Sequence, residues 1–321
     1  MKRDWLIWLW LTLLILTVPL FITSPYYYSV LIFVAINGMV ALGLTLLMGY
    51  AGQVSLGHAG FFGLGAYFSM FLTVHLEWNP WLAMAVGLVA TVIIAFALGL
   101  PTLRLHGHYL AVATLGLGIV LNIIFKEEID LTGGPSGTSG IPYLSLMGTV
   151  FSNDQKFYYL SWIFLLALIA LSINLVHSRA GRALRAISQN QTAAASLGVA
   201  VNRHKLLIFA LSAGYASLAG SLYAHYFTFI NPSPFGFMAS IKFMAMVVVG
   251  GSFSLWGALL GTTLLTSLPE FLTVLQEYEM LTYGAILIVV MMFAPRGLAG
   301  IISRAAELFR KRERPKDAQA A

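Results

Sequence analysis

Residues 29–49 read SVLIFVAINGMVALGLTLLMG, a run without one charged side chain. A bilayer core about 30 Å thick needs about 20 apolar residues to be crossed as a helix, and this run is long enough. Further runs of the same kind are read at 5–22, 57–74, 81–100, 109–125, 157–176, 206–226, 239–251, 255–275 and 280–295. Only a helix or a closed barrel satisfies its own backbone in lipid, so the expected fold is all-α: a polytopic transmembrane helical bundle of about 8 to 10 spans. The first run follows Lys2 and Arg3, carries Trp5, Trp8 and Trp10, and lacks a small-residue cleavage site. It reads as a membrane helix rather than a signal peptide.

The composition of the whole chain agrees. Lys plus Arg number 18 and Asp plus Glu 12, so 9% of the 321 residues are charged while 59% are hydrophobic. An ordinary soluble domain has roughly 25% charged residues, so this chain lacks the charge to coat a water-facing surface. There is no cysteine, which excludes thiol catalysis, cysteine-ligated metals and a disulfide framework.

The net charge of +6 reports orientation. Arg179, Arg182, Arg185, Arg203 and Lys205 fall within 177–205 with no acid among them, and Arg296, Arg304, Arg310, Lys311, Arg312, Arg314 and Lys316 crowd the end of the chain. The segment 126–156 sets Lys126 and Lys156 against Glu127, Glu128, Asp130 and Asp154. Basic connections stay in the cytoplasm. The expected organisation is therefore a transmembrane domain over 1–295, with a cytoplasmic segment 177–205 and a periplasmic loop 126–156. A basic cytoplasmic tail follows over 296–321, and both termini lie inside.

Two spans are irregular. Residues 239–251 are short, and 57–74 is interrupted by Gly60, Gly63 and Gly65. Such segments either pack closely on neighbouring helices or line a solute path. The small residues Ser212, Ala216, Gly220 and Ala224, and the pair Gly257 and Gly261, read as helix-packing surfaces. Gly52-Gln53-Val54-Ser55-Leu56 echoes Gly251-Ser252-Phe253-Ser254-Leu255, a weak internal repeat.

The chemistry within the spans is sparse. The acids map to loops, tails or span ends, and no GxxxxGK[ST] phosphate loop, GxSxG, HExxH or HxxxH is present. Neither enzymatic function nor a metal site has support. His106 and His108 bracket Gly107 in a short turn with Arg104, read as a solvated loop. An uncharged interior suits a neutral or zwitterionic solute better than an ion pump. Asn37, Gln53, Ser55, His58 and Asn122 are the candidate pathway residues, with hydrogen bonding between helices as the plainer role.

On a helical wheel of about 100° per residue, Arg182, Arg185 and Gln189 share one side. Leu184, Ile187, Gln191, Ala194 and Gly198 lie opposite. This amphipathic segment either docks in a partner's groove or rests on the anionic inner leaflet.

Five stretches together resemble the permease family of branched-chain amino-acid ABC importers: GYAGQVSLGHAGFFGLGAY (49–67), TGGPSGTSGIP (132–142), GRALRAI (181–187), NQTAAASLGVAVNRHKLL (190–207) and FAPRGLAG (293–300). The chain is similar to the subunit type carrying the TGG loop. The resemblance implies a multi-pass subunit in a bacterial inner membrane. Its partners would be a second homologous permease, two cytoplasmic ATPases and a periplasmic binding protein. ATP and Mg would sit on the ATPases, with no cofactor in this chain. It also implies a coupling helix, matched here by Ala193, Ala194, Leu197 and Gly198 with Arg182, Arg185 and Gln191 beside them; Gln189 and Gln191 stand where many relatives carry acids. Gly133, Gly134 and Ser136 are the candidate contacts with the binding protein. The expected cargo is a branched-chain or related amino acid; the alternative reading is an ATP-independent channel or facilitator for a small neutral solute.

Overall fold

The computed structural model describes residues 2–21, 24–102, 107–146, 148–271, 279–294 and 297–301. Arg104 and His106, and the tail beyond residue 301 with its basic cluster, lie outside them. In chain order the helices are α1 (Lys2–Phe21), α2 (Pro25–Thr45), α3 (His58–Val74), α4 (Pro80–Thr102), α5 (His108–Glu127) and the short α6 (Ile129–Thr132). They continue as α7 (Asp154–His177), α8 (Arg179–Gln189), α9 (Gln191–Ser196), α10 (Val201–Phe227), α11 (Phe237–Gly250), α12 (Leu255–Phe271) and α13 (Glu279–Phe293). Among the described residues, each run read as a span falls mainly on one helix, the 29–49 run continuing past α2 into the turn that follows it.

Local chemistry sets the boundaries. α2 and α4 open on Pro25 and Pro80, where a missing N–H costs nothing. Asn153, Ser178 and Asn190 cap α7, α8 and α9 with side-chain oxygens that accept backbone N–H groups. α2 ends in a π-helical turn, Leu46–Tyr50. The chain then runs without regular structure through 52–57, where Gln53, Ser55 and Gly57 are buried. Irregular backbone at such depth is tolerated only when enclosed by protein.

α2 occupies the centre. Ile32, Ala35, Ile36, Met39, Val40, Ala41, Leu42 and Leu44 are wholly buried, against α7, α10, α11 and α12. Lipid tails are as apolar as leucine, so dispersion and close approach hold such helices together. The glycines supply that approach. A Cβ on Gly65 would fall on the Ser217 carbonyl, one on Gly220 on the Phe62 carbonyl, and one on Gly261 on the Met246 carbonyl. The surfaces read as packing faces on α10 and α12 do pack, Gly220 against α3 and Gly257 and Gly261 against α11.

Around this centre, α1, α4 and α5 turn apolar side chains outward, including Leu6, Leu9, Leu13, Val89, Ile93, Val112, Val120 and Ile123. So much apolar exposure is untenable in water and ordinary in lipid. Five helical stretches are long and apolar enough to cross a membrane: Pro25–Tyr50, Pro80–Thr102, His108–Glu127, Asp154–His177 and Val201–Phe227. α3 and α11 are shorter apolar helices of 17 and 14 residues. α1 is tied to α7 by Trp8 Nε1 donating to the Leu166 carbonyl at 3.0 Å and by Tyr158 donating to the Ile15 carbonyl at 3.1 Å.

The connection between α5 and α7 is folded back on the bundle. Two-residue strands β1 (Thr138–Ser139), β2 (Ser145–Leu146), β3 (Thr149–Val150) and β4 (Phe229–Ile230) pair antiparallel as β1 with β4 and β2 with β3. β1 thus fastens the loop to the end of α10.

Candidate functional site

Three places hold most of the residues singled out from the sequence. The first is a polar chain inside the bundle. His58, at the start of α3 and buried, lies 2.9 Å from Ser55 Oγ through Nδ1 and 2.6 Å from Ser212 Oγ through Nε2. Ser240 of α11 accepts from the Ala59 N–H at 3.1 Å, and Thr114 of α5 accepts from the Leu56 N–H at 3.1 Å. α5 and α11 therefore hold the backbone at Leu56 and Ala59, while α10 holds the His58 side chain at the start of α3. Buried polar groups must be paired: in the irregular segment the Leu56 N–H is met by the Thr114 hydroxyl and the Gln53 N–H by the Leu47 carbonyl. The Gln53 side chain differs: it is buried and neither amide atom has a hydrogen-bond partner.

The remaining pathway candidates sit elsewhere. Asn37 donates from α2 to Thr266 Oγ1 of α12 at 3.2 Å. Asn122 donates from α5 to the Pro232 carbonyl at 3.0 Å. Each joins a different pair of elements, so the five candidates do not form one cluster. Ser212 and Ser240 join Ser55 and His58 instead. Ser212 was legible only as the head of a small-residue stripe, because a serine that packs and a serine that hydrogen-bonds leave the same spacing.

The second place is the 177–205 segment, and here the structure corrects the wheel. The amphipathic stretch is two helices, broken at Asn190, whose extended backbone (φ −157°, ψ 111°) places its side chain to cap α9 through the Ala193 N–H at 3.0 Å. Within α8 the wheel holds: Arg182, Arg185 and Gln189 are exposed while Leu184 and Ile187 are buried against the bundle. Beyond the break, Ala194 alone is buried in α9, Ala193 is exposed, and Leu197 stands 83% exposed. Gly198 has φ +82° and nothing within 4 Å of where a Cβ would stand. α9 and the start of α10 flank an open groove of about 700 Å³, lined in part by Gln191, Ala195, Asn202 and Arg203.

Gln191 does not face outward with Gly198. Its Oε1 accepts from Lys205 Nζ at 2.8 Å, and Lys205 is one of the largest fully buried side chains. This pair was missed, although the signal existed. Lys205, Ile208, Phe209 and Ser212 follow helical spacing on the buried face of α10, so a lysine heads an otherwise inward stripe.

The third place is the 126–156 loop. Gly133 and Gly134 have φ of +76° and +57°, a region open to glycine at little cost. The Thr132 hydroxyl braces the turn, donating to the Glu128 carbonyl at 2.7 Å and accepting from the Gly134 N–H at 3.1 Å. Gly134 is buried and Gly133 half-buried, whereas Ser136 is exposed. The two glycines shape the loop and Ser136 offers its surface. No group of His, Asp and Glu side chains suited to a metal ion occurs among the described residues.

A family model described as the permease component of branched-chain amino acid transport systems matches residues 26–291. The high-affinity branched-chain amino acid transport system permease protein LivM of Escherichia coli (strain K12) is 33% identical over 283 residues, covering 81% of this chain and 67% of that protein. LivH, a permease protein of the high-affinity branched-chain amino acid transport system in the same organism, is 30% identical over 281 residues, covering 82% of this chain and 90% of LivH. The autoinducer 2 import system permease protein LsrC of Klebsiella pneumoniae is 33% identical over 170 residues, half of this chain and 47% of LsrC. No solved structure matches.

Proposed function

The chain belongs to the permease family of branched-chain amino acid transport systems, and from that premise we propose that it is one of two membrane-spanning subunits of an ATP-driven importer. The cargo is a branched-chain or related amino acid, and the membrane is a bacterial inner membrane. The partners are a second homologous permease, two cytoplasmic ATPases that carry ATP and Mg, and a periplasmic binding protein. Ten helices placed as ten spans put both ends of the chain on the cytoplasmic side with 177–205 and the basic tail 296–321. The domain 1–295 then forms the pathway, and 126–156 faces the binding protein through Ser136.

The observation that carries this reading is the surface around α9. Ala193, Leu197 and Gly198 are exposed on a cap that projects from the bundle, with Arg182 and Arg185 exposed on the adjoining helix. An exposed leucine beside alanines and an unobstructed glycine fits the groove of a partner protein. The same segment is fastened to the spans through Ala194, Leu184, Ile187 and the Lys205–Gln191 bond. A push delivered there reaches α10 and, through Ser212, His58 at the mouth of the irregular segment. Nucleotide shifts the equilibrium between inward- and outward-open states only by binding them with different affinity, and a rigid lever transmits that difference.

Purification of the chain from its native membrane under mild detergent tests the proposal. Two ATPases and a second permease are expected to accompany it, with ATP hydrolysis supporting uptake in liposomes. Recovery of the chain alone, with solute flux that needs no ATP, would establish the passive channel instead.

A further inference from the structure

Asp4, in the first turn of α1, joins three helices that are far apart in sequence. Its Oδ2 accepts from Nε2 of His177, the last residue of α7, at 2.9 Å, and its Oδ1 accepts from Nε1 of Trp256, at the head of α12, at 3.3 Å. An ionised carboxylate only accepts, so both ring nitrogens donate. The Asp4 and His177 side chains are 28% and 31% exposed, and Trp256 is half-buried, so water screens the cluster only in part. None of the three has a part in the sites described above.

Both donors stand at rigid corners. Ser178, next after His177, donates to the Leu175 carbonyl at 2.7 Å and caps α8. A Cβ on Gly181 would fall on the Leu175 and Val176 carbonyls, so α7 and α8 close against each other without slack, and a displacement of α8 is felt at His177. Trp256 follows the 251–255 turn. A Cβ on Gly49 would fall on the Ser252 carbonyl of that turn, and one on Gly250 on the Gly257 carbonyl. The turn is thus wedged between α12 and the π-helical end of α2 that leads into the irregular segment. α1 itself is held along α7 by the bonds of Trp8 and Tyr158, so the carboxylate is carried on a fixed strut.

We propose that Asp4 is a positioning residue for transport, locking the base of the lever at His177 to the head of α12 at Trp256 so that the two move as one body when the ATPases close. The inference rests on the importer reading. It adds a second limb to the route through Lys205 and α10. One limb reaches His58 from the side of Ser212; the other reaches the entrance of the 52–57 segment from the side of the 251–255 turn. Contact alone does not establish coupling, so the test reads relative motion.

The test uses the complex with its ATPases and binding protein in liposomes. The chain holds no cysteine, so Arg179→Cys and Phe253→Cys, both at exposed positions, place one spin label at the start of α8 and one in the 251–255 turn when the chain is labelled before assembly. In this labelled parent the distance between the labels is expected to be the same with and without ATP under hydrolysis arrest. Asp4→Leu removes both acceptors. It is expected to shift or broaden that distance on ATP binding and to lower uptake per ATP about three-fold, the size of a partly screened pair, with the KM for solute and membrane insertion unchanged. Asp4→Asn keeps an acceptor for Trp256 and offers His177 an N–H, and is expected to restore both readings. Trp256→Phe cuts one limb from a different element and is expected to act as Asp4→Leu does, which decides the question where Asp4→Leu does not insert. Parental distances or parental uptake per ATP in these two variants, or a labelled parent whose distance itself shifts with ATP, would overturn the strut. A parent complex that moves no solute on ATP overturns the importer reading instead, and that result is seen before any variant is made.

Discussion

Lys205 Nζ donates to Gln191 Oε1 at 2.8 Å across the joint between α9 and α10. A buried ammonium held by one neutral amide gives the projecting cap a fixed angle on the span below it. Hydrogen bonds to charged groups are worth about 1.5–3 kcal/mol, enough to move the population of the docked cap by one to two orders of magnitude. Lys205→Met fills the same space without the bond. The expected outcome is a complex that assembles and hydrolyses ATP but transports several-fold less solute per ATP, while Gln191→Glu retains coupling. Uptake and phosphate release measured on the same liposomes decide this; equal ratios in parent and Lys205→Met would exclude the joint from the lever.

Gly198 separates backbone strain from steric contact. Its φ of +82° disfavours a β-carbon, yet nothing within 4 Å obstructs one. Asparagine tolerates left-handed backbone better than valine, so Gly198→Asn is expected to fold and insert like the parent, with Gly198→Val losing about 1–2 kcal/mol. Tryptophan at this position projects into the space a partner would fill. It is expected to abolish ATP-driven uptake while the chain remains inserted, read by membrane fractionation beside the uptake assay.

The contact of His58 with Ser212 predicts non-additivity. His58→Phe removes both hydroxyl partners and leaves Ser55 and Ser212 buried without them, at a cost of about 1–3 kcal/mol for each orphaned group. Adding Ser212→Ala removes one orphan. The double variant should therefore melt above His58→Phe alone, a coupling that a double-mutant cycle in detergent reads directly. Strictly additive shifts would mean the 2.6 Å contact contributes nothing.

Two glycines make a paired test of helix packing. Gly220 is pressed against the Phe62 carbonyl, whereas Gly116, on the outer face of α5, has open space. Gly220→Val is expected to prevent α3 and α10 from closing and to lower the yield of folded protein sharply. Gly116→Ala should stabilise the isolated chain by about 0.5–1 kcal/mol through helix propensity alone. Comparable melting temperatures for the two variants would contradict the packing.

The helices were legible because an apolar run of sufficient length admits one solution in lipid. The helix against lipid buries its own polar groups, and no other segment geometry does. The face of α8 was equally legible, since Leu184 and Ile187 recur at helical spacing opposite Arg182 and Arg185. The break at Asn190 was not. A helical wheel carries no term for a side chain that caps the next turn, and Asn190 interrupts a pattern that its neighbours continue.

Residue type and order determined by themselves that this chain is a membrane helical bundle, which segments carry basic charge, and to which family it belongs. The first two depend on transfer between water and lipid and on where charge falls, both summed along the chain, and the family on the order of a few short stretches. Only the tertiary structure decided that His58 meets Ser212, that Asn37 and Asn122 serve separate joints, and that Asp4 takes His177 and Trp256 together. Each of these depends on how closely helices approach, and that approach is set by glycines whose packing partners are carbonyls and hydroxyls far away in sequence, a relation that periodicity does not encode.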